Sequence, residues 1–163
     1  MRYILELGPG HIIQAAQEHL DDRIVTIDRR QLGWTSVLAD AGMEFPFKDQ
    51  IFAHVFSSHL FEHLSFAQAE QCARSSYRVL KPFGTIRLYM PNLEYWVRCY
   101  QGEGMTSHVA ENIYGRQKHP WDYHLSGWDK KNLVELVESV GFSGVAIIPG
   151  RSSDELCVMA VRL

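Results

Sequence analysis

No stretch of this 163-residue sequence comes near the ~20 consecutive apolar residues of a membrane-spanning helix, so none is expected. Cysteine is scarce. Cys72, Cys99 and Cys157 are odd in number and far apart, which fits neither a disulfide framework nor a zinc knuckle; they read as reduced thiols of a core. Charge of one sign is lacking too. A formal net charge of -3 offers no basic surface for nucleic acid or an anionic membrane. Repeats, low-complexity tracts and linkers are missing, which excludes a fibrous or chain-like architecture. Met1-Arg2-Tyr3 leads straight into an apolar strand, so no signal peptide is expected and a cytoplasmic location is. What is present is 46% hydrophobic and 12% aromatic residues, the composition of one packed core and one domain over residues 1–163.

Strand patterns alternate with helical ones from the start, the mark of an α/β layer fold. Tyr3 to Leu7 reads as a buried first strand. Gly8-Pro9-Gly10 turns the chain, and Ile12, Ile13, Ala16 and Leu20 then recur at helical spacing. Arg23 to Asp28, Ser36 to Asp40 and Ile51 to Ser57 are the next three strands. Ser65 with Gln68 forms a capping box that opens a helix running to about Leu80. Lys81-Pro82-Phe83-Gly84 ends it, and Thr85 to Met90 is a fifth strand. Asp129 caps a last helix that stops at Gly141. Only Pro149 to Glu155 separates the apolar runs Val145–Ile148 and Leu156–Val161. A parallel pair needs a crossover of a dozen or more residues, so these two form an antiparallel hairpin. The expectation is a Rossmann-like three-layer sandwich: a mostly parallel seven-stranded sheet that closes with an antiparallel C-terminal hairpin.

In such a sheet, ligands bind beyond the carboxyl ends of the strands, where the strand order reverses. Three signals fall there. Glu6-Leu7-Gly8-Pro9-Gly10 lets the main chain approach a ligand closely. Asp28 ends strand two, where a carboxylate accepts from both hydroxyls of a ribose. Asp40-Ala41 ends strand three, where a carboxylate accepts from an adenine amino group. A dinucleotide site wants a third glycine to seat the pyrophosphate, and that position is Ile13. S-adenosylmethionine has no phosphate and needs no such glycine. Its cationic sulfonium suits a neighbouring acid such as Glu6. The expected cofactor is therefore S-adenosylmethionine, with S-adenosylhomocysteine as product.

These segments resemble those of class I S-adenosylmethionine-dependent methyltransferases of the small, type 11-like kind. Leu5-Glu6-Leu7-Gly8-Pro9-Gly10 is similar to their motif I, with Asp28 at the ribose acid. Phe45-Pro46-Phe47-Lys48-Asp49 is similar to the segment before strand four. Ser57-Ser58-His59-Leu60-Phe61-Glu62-His63-Leu64 is similar to the stretch after it. Arg78-Val79-Leu80-Lys81-Pro82-Phe83-Gly84 is similar to their "arginine-valine-leucine-lysine-proline-glycine-glycine" string. The resemblance implies cofactor contacts at Glu6, Gly8, Gly10, Asp28, Asp40, Ala41 and Ser57. The chain departs from it at Ala53, where an aspartate is common, at Phe83 and at Ile12. Such families also carry a covering helix before strand one, so the site is expected to be more open or closed by a partner.

Methyl transfer needs an acceptor atom aligned behind the methyl group and a group to take its proton. Histidine near its ordinary pKa suits that task, and His59 and His124 are the candidates, His59 first. A loop-orienting role for His59 and His63 stays open. His59 to His63 also spells H-x-x-E-H, the string of inverted zinc peptidases. Ser65 caps its helix only after His63, so the string belongs to a loop or short turn and no metal site is expected. Residues 102–128, rich in Gly, His, Trp and Tyr, read as a lid over the substrate. The expected partners are a small-molecule or saccharide substrate with a nitrogen or oxygen acceptor, and a second copy of the chain as a homodimer. The alternative is a catalytically weak or inactive nucleoside-binding scaffold of the same fold.

Overall fold

The computed structural model describes residues 1–10, 12–18 and 21–163. Seven strands form one sheet: β1 (Tyr3–Leu7), β2 (Arg23–Asp28), β3 (Val37–Leu38), β4 (Phe52–Ser58), β5 (Leu80–Pro91), β6 (Ser143–Pro149) and β7 (Glu155–Val161). Their spatial order is β3-β2-β1-β4-β5-β7-β6. The first five pair in parallel, and β7 joins β5 and β6 antiparallel, as the short tail connection requires. From β1 the chain runs outward to β3, then returns to β4 on the other side of β1. The strand order therefore reverses between β1 and β4, and a crevice opens above their carboxyl ends.

Alternation along the strands splits the core in two. Leu5, Leu7, Val55, Ile86, Leu88 and Val158 point to one face, where they meet Ala69, Cys72 and Val79 of α2 (Phe66–Val79) and Leu133 and Val137 of α5 (Lys130–Val140). Ile4, Phe56, Tyr89 and Cys157 point to the other and meet Ala15 of α1 (Ala15–Glu18). Helices thus cover both faces, giving the Rossmann-like three-layer arrangement. Burying one such leucine or valine side chain contributes about 2 kcal/mol.

Both capping boxes form. The Ser65 side chain accepts from the Gln68 N–H, and Asp129 accepts from Asn132. Gly141 ends α5 in the left-handed region at φ 112°. After β5 the chain adds α3 (Leu93–Glu103) and α4 (Ser107–Tyr114) before an irregular run to Asp129.

Two boundaries differ from the sequence expectation. The first helix was expected from Ile12, yet α1 begins at Ala15 and Ile12 is 56% exposed. Its start is set by Glu6, whose carboxylate accepts the N–H groups of Gln14 and Ala15, the free donors of a helix N-terminus. Leu20, expected on the same face, lies outside the described residues. The second difference is β5, which begins at Leu80 rather than Thr85. Residues 81–84 do not leave the sheet: Phe83 N–H donates to Arg162 O at 2.7 Å, and Arg162 N–H donates to Gly84 O at 2.9 Å.

Candidate functional site

A cavity of about 520 Å³ opens at the strand-order reversal, a volume suited to a small-molecule ligand. Gly8 and Gly10 line its floor, Asp28, Arg29 and Arg30 one side, and Asp40, Ala41 and Gln68 the next. Ser58 ends β4, His59 and His63 come from the segment after it, and Arg116, Trp121 and Asp122 from residues 102–128. Gly8 needs its glycine: φ is +56°, and a Cβ there would lie 2.9 Å from Leu60 Cδ1.

The acids differ in their surroundings. Asp28 is 4% exposed. Its Oδ1 accepts from Arg30 N at 2.8 Å and Arg30 Nε at 3.1 Å, and its Oδ2 from a terminal guanidinium nitrogen of Arg30 at 3.2 Å. The same guanidinium stands 5.8 Å from the Trp121 ring. Asp40 Oδ1 accepts from Gly42 N at 2.8 Å, an Asx turn that shapes the loop around Ala41. Glu6 does not line the cavity: it is fully buried beneath the Gly8–Gly10 loop. Burial pushes its carboxyl up to about 7, against the pull of the two N–H donors. Ser57 is also fully buried, and its Oγ has no partner among the described residues. Its neighbour Ser58 is the residue at the wall, where its Oγ accepts from Arg151 at 2.8 Å.

His59 sits at the wall with φ +53°. Nδ1 lies 3.2 Å from Glu62 Oε1 and Nε2 lies 2.8 Å from Glu155 Oε1. Glu62's hydrogen bond raises the His59 pKa above its usual value, burial lowers it, and Glu155 adds to the rise. Burial pushes Glu155 up, but Arg151 and His59 outweigh it and hold its carboxyl below the usual range. His124 does not line the main cavity. It stands behind His63, ring against ring at 4.9 Å, in a narrow cleft with Glu62 and Asn112. Burial lowers its pKa. The H-x-x-E-H string folds partly into a 3₁₀ turn, Phe61–His63, so His59 and His63 do not share a helix face. Glu62, His63 and His124 converge instead.

Arginines were the residues that sequence reasoning missed. Arg30 beside Asp28 and Arg151 on the His59–Glu155 pair carry no local signature. Arg151 is 93 positions from the Ser58 it contacts. Trp96, on the helix after β5, is buried against His108.

Known proteins share this fold. Among curated proteins, none matches the chain in sequence. The PH0226 protein of Pyrococcus horikoshii OT3 superposes with a TM-score of 0.75 at 15% identity, over 99% of this chain and 82% of its own. A SAM-dependent methyltransferase of Archaeoglobus fulgidus gives 0.67 at 16% identity, over 98% and 86%. Phosphoethanolamine N-methyltransferase 2 of Haemonchus contortus, solved with S-adenosyl-L-methionine, gives 0.67 at 14% identity; this chain is covered over 99% and spans 48% of that one. At these identities the likeness is one of fold. The family model described as "Methyltransferase domain" matches residues 5–88, more than half of the chain. The chain belongs to that methyltransferase domain family.

Proposed function

We propose that the enzyme methylates a nitrogen or oxygen atom of a small-molecule or saccharide acceptor, within one domain over residues 1–163 whose lid is the segment 102–128. One observation carries this reading: a single cavity is lined both by Gly8, Gly10, Asp28, Asp40 and Ala41 and by Arg116, Trp121 and Asp122. Cofactor and acceptor therefore have room to meet in one place.

Bound S-adenosylmethionine supplies an electrophilic methyl group on a sulfonium. In this reading Gly8 and Gly10 let the main chain approach it, Asp28 accepts from the ribose hydroxyls, and Asp40 and Ala41 face the adenine. Arg30 holds Asp28 beforehand, so ribose binding exchanges one set of donors for another. Glu6 acts from beneath, fixing the glycine loop through Gln14 and Ala15. Ser57 supports the floor from below, and Ser58 offers the hydroxyl at the surface. As the new bond forms, the acceptor loses a proton. His59, the expected histidine that lines the cavity, takes that proton only once one of its ring nitrogens leaves Glu62 or Glu155, to which both face here; His124, behind His63, is not given that role. Trp121 and Arg116 suit an acceptor with a ring or an anionic group. The proposed location is the cytoplasm, where the free thiols Cys72, Cys99 and Cys157 stay reduced.

The test is transfer of labelled methyl from S-adenosylmethionine to a panel of saccharides, amines and hydroxy acids. Label should pass to at least one acceptor, and His59→Ala should slow transfer at least tenfold while leaving S-adenosylhomocysteine affinity within about threefold. A second reading, a nucleoside-binding scaffold without turnover, is favoured by one observation: both ring nitrogens of His59 are already engaged by carboxylates. Cofactor binding with no transfer to any acceptor would select it.

A further inference from the structure

The H-x-x-E-H string leaves one cluster that the methyltransferase reading does not use. Glu62 and His63 lie in the 3₁₀ turn after β4, and His124 comes from the segment before α5. One carboxylate oxygen of Glu62 and one ring nitrogen from each histidine all lie within 4.8 Å of one another. His59 is outside this set, because Glu62 Oε1 and Glu155 hold its ring.

The protonation pattern is that of a ligand set. His63 Nδ1 lies 2.9 Å from Tyr123 O, and His124 Nδ1 lies 3.0 Å from Asn112 O. A backbone carbonyl only accepts, so in each neutral ring Nδ1 carries the proton and Nε2 keeps its lone pair. A metal-bound histidine is oriented in the same way by its second nitrogen. Glu62 is 3% exposed, and its Oε2 has no partner among the described residues. A buried carboxylate with one oxygen unpaired, on which two imidazole rings converge, is an arrangement that a cation would relieve. The frame is already tied. Leu125 N–H donates to Glu62 O at 2.7 Å, and Ser126 Oγ donates to Phe61 O at 3.0 Å.

We propose that Glu62, His63 and His124 bind one zinc ion, which clips the 102–128 segment to the loop after β4. Two imidazoles and one carboxylate are a zinc donor set, and three protein ligands leave a fourth position open. Zinc bonds of about 2.0–2.2 Å draw the donors closer than they stand here, and small rotations of two half-buried rings supply that. His63 also lines the main cavity, so the ion borders the acceptor side. The site does not depend on which acceptor is methylated.

The experiment uses untagged full-length protein treated with chelator and then titrated with Zn²⁺ and Co²⁺, with Mg²⁺ as control. The expected result is one tightly bound equivalent of Zn²⁺, a visible absorption spectrum of four-coordinate Co²⁺ without thiolate charge transfer, and no Mg²⁺ binding. His124→Ala, a half-buried position that folds if Glu62→Gln does not, should weaken Zn²⁺ binding at least 100-fold with an unchanged far-ultraviolet circular dichroism spectrum. Absence of stoichiometric Zn²⁺ binding, or binding that His124→Ala leaves within threefold, would overturn the proposal. S-adenosylhomocysteine binding to the chelator-treated protein reports separately on the cofactor reading.

Discussion

Glu6 makes the stability of this fold depend on pH in a direction opposite to that of carboxylates held ionised by ion pairs. It is fully buried on β1, with its two oxygens accepting from Gln14 N at 2.8 Å and Ala15 N at 2.9 Å. Burial wins over those bonds and pushes the carboxyl from 4.5 up to about 7. Because the folded-state pKa is above the unfolded one, the folded chain holds the extra proton between those values. Its contribution is complete below pH 4.5 and is lost as pH rises through 7. At about 1.4 kcal/mol per pH unit, the loss across that interval is about 3 kcal/mol. Glu6→Gln removes the titration. The amide keeps one acceptor oxygen but turns its NH₂ toward the other backbone N–H, a mismatch of about 1–3 kcal/mol. Urea unfolding of both proteins at about pH 5 and pH 8 isolates the residue. The wild type should be the more stable at pH 5, and that advantage should shrink by about 2–3 kcal/mol, or reverse, at pH 8. An advantage that stays constant or grows with pH would refute the reasoning, because the two N–H donors would then hold Glu6 ionised in the fold.

Other substitutions read other parts of the account. Asp28→Ala removes a charged acceptor for two hydroxyls and should weaken S-adenosylhomocysteine binding by about 2–3 kcal/mol, roughly 30- to 150-fold, in calorimetry, with a lower melting temperature as well because Arg30 loses its buried partner. Gly8→Ala forces a Cβ to 2.9 Å from Leu60 Cδ1 at φ +56° and should cost about 1–2 kcal/mol in urea unfolding along with cofactor affinity. Phe83 holds φ +63° with a side chain 77% exposed, so Phe83→Gly should raise stability by about 0.5–1 kcal/mol, net of the freer unfolded chain. Arg78 donates to Phe47 O, Asp49 Oδ1 and Phe45 O at 2.7 Å each; Arg78→Ala should lower stability by about 2–4 kcal/mol, read as a fall in the urea midpoint.

The elements that announce themselves in the sequence are those governed by local rules. Residues 150–154 are too few for a crossover, so the antiparallel hairpin of β6 and β7 follows from length alone. Ser65 with Gln68, and Asp129 followed by Gly141, mark α2 and α5 through neighbours three to twelve positions apart. The start of α1 is hidden because the group that sets it, Glu6, belongs to the strand before. β5 extends back to Leu80 because its N-terminal part pairs with Arg162, at the far end of the chain. The same limit applies at the site. The glycines and strand-end acids that line the cavity, Gly8, Gly10, Asp28 and Asp40, were legible because strand ends are. The guanidinium on Asp28 comes from Arg30, two positions on, in an irregular turn that no periodicity marks; the reach of Glu155 to His59 and the approach of His124 to Glu62 arise from tertiary proximity between distant segments.

The central claim is that the cavity above β1 and β4 is an adenosyl cofactor site used for methyl transfer. Calorimetric titration with S-adenosylmethionine and S-adenosylhomocysteine, with NADH as control, tests it most directly. The account predicts one-to-one binding of both adenosyl ligands at micromolar affinity, weakened roughly 30- to 150-fold in Asp28→Ala, and no heat from NADH. Binding of NADH in their place, or of none of the three by folded protein, would contradict it.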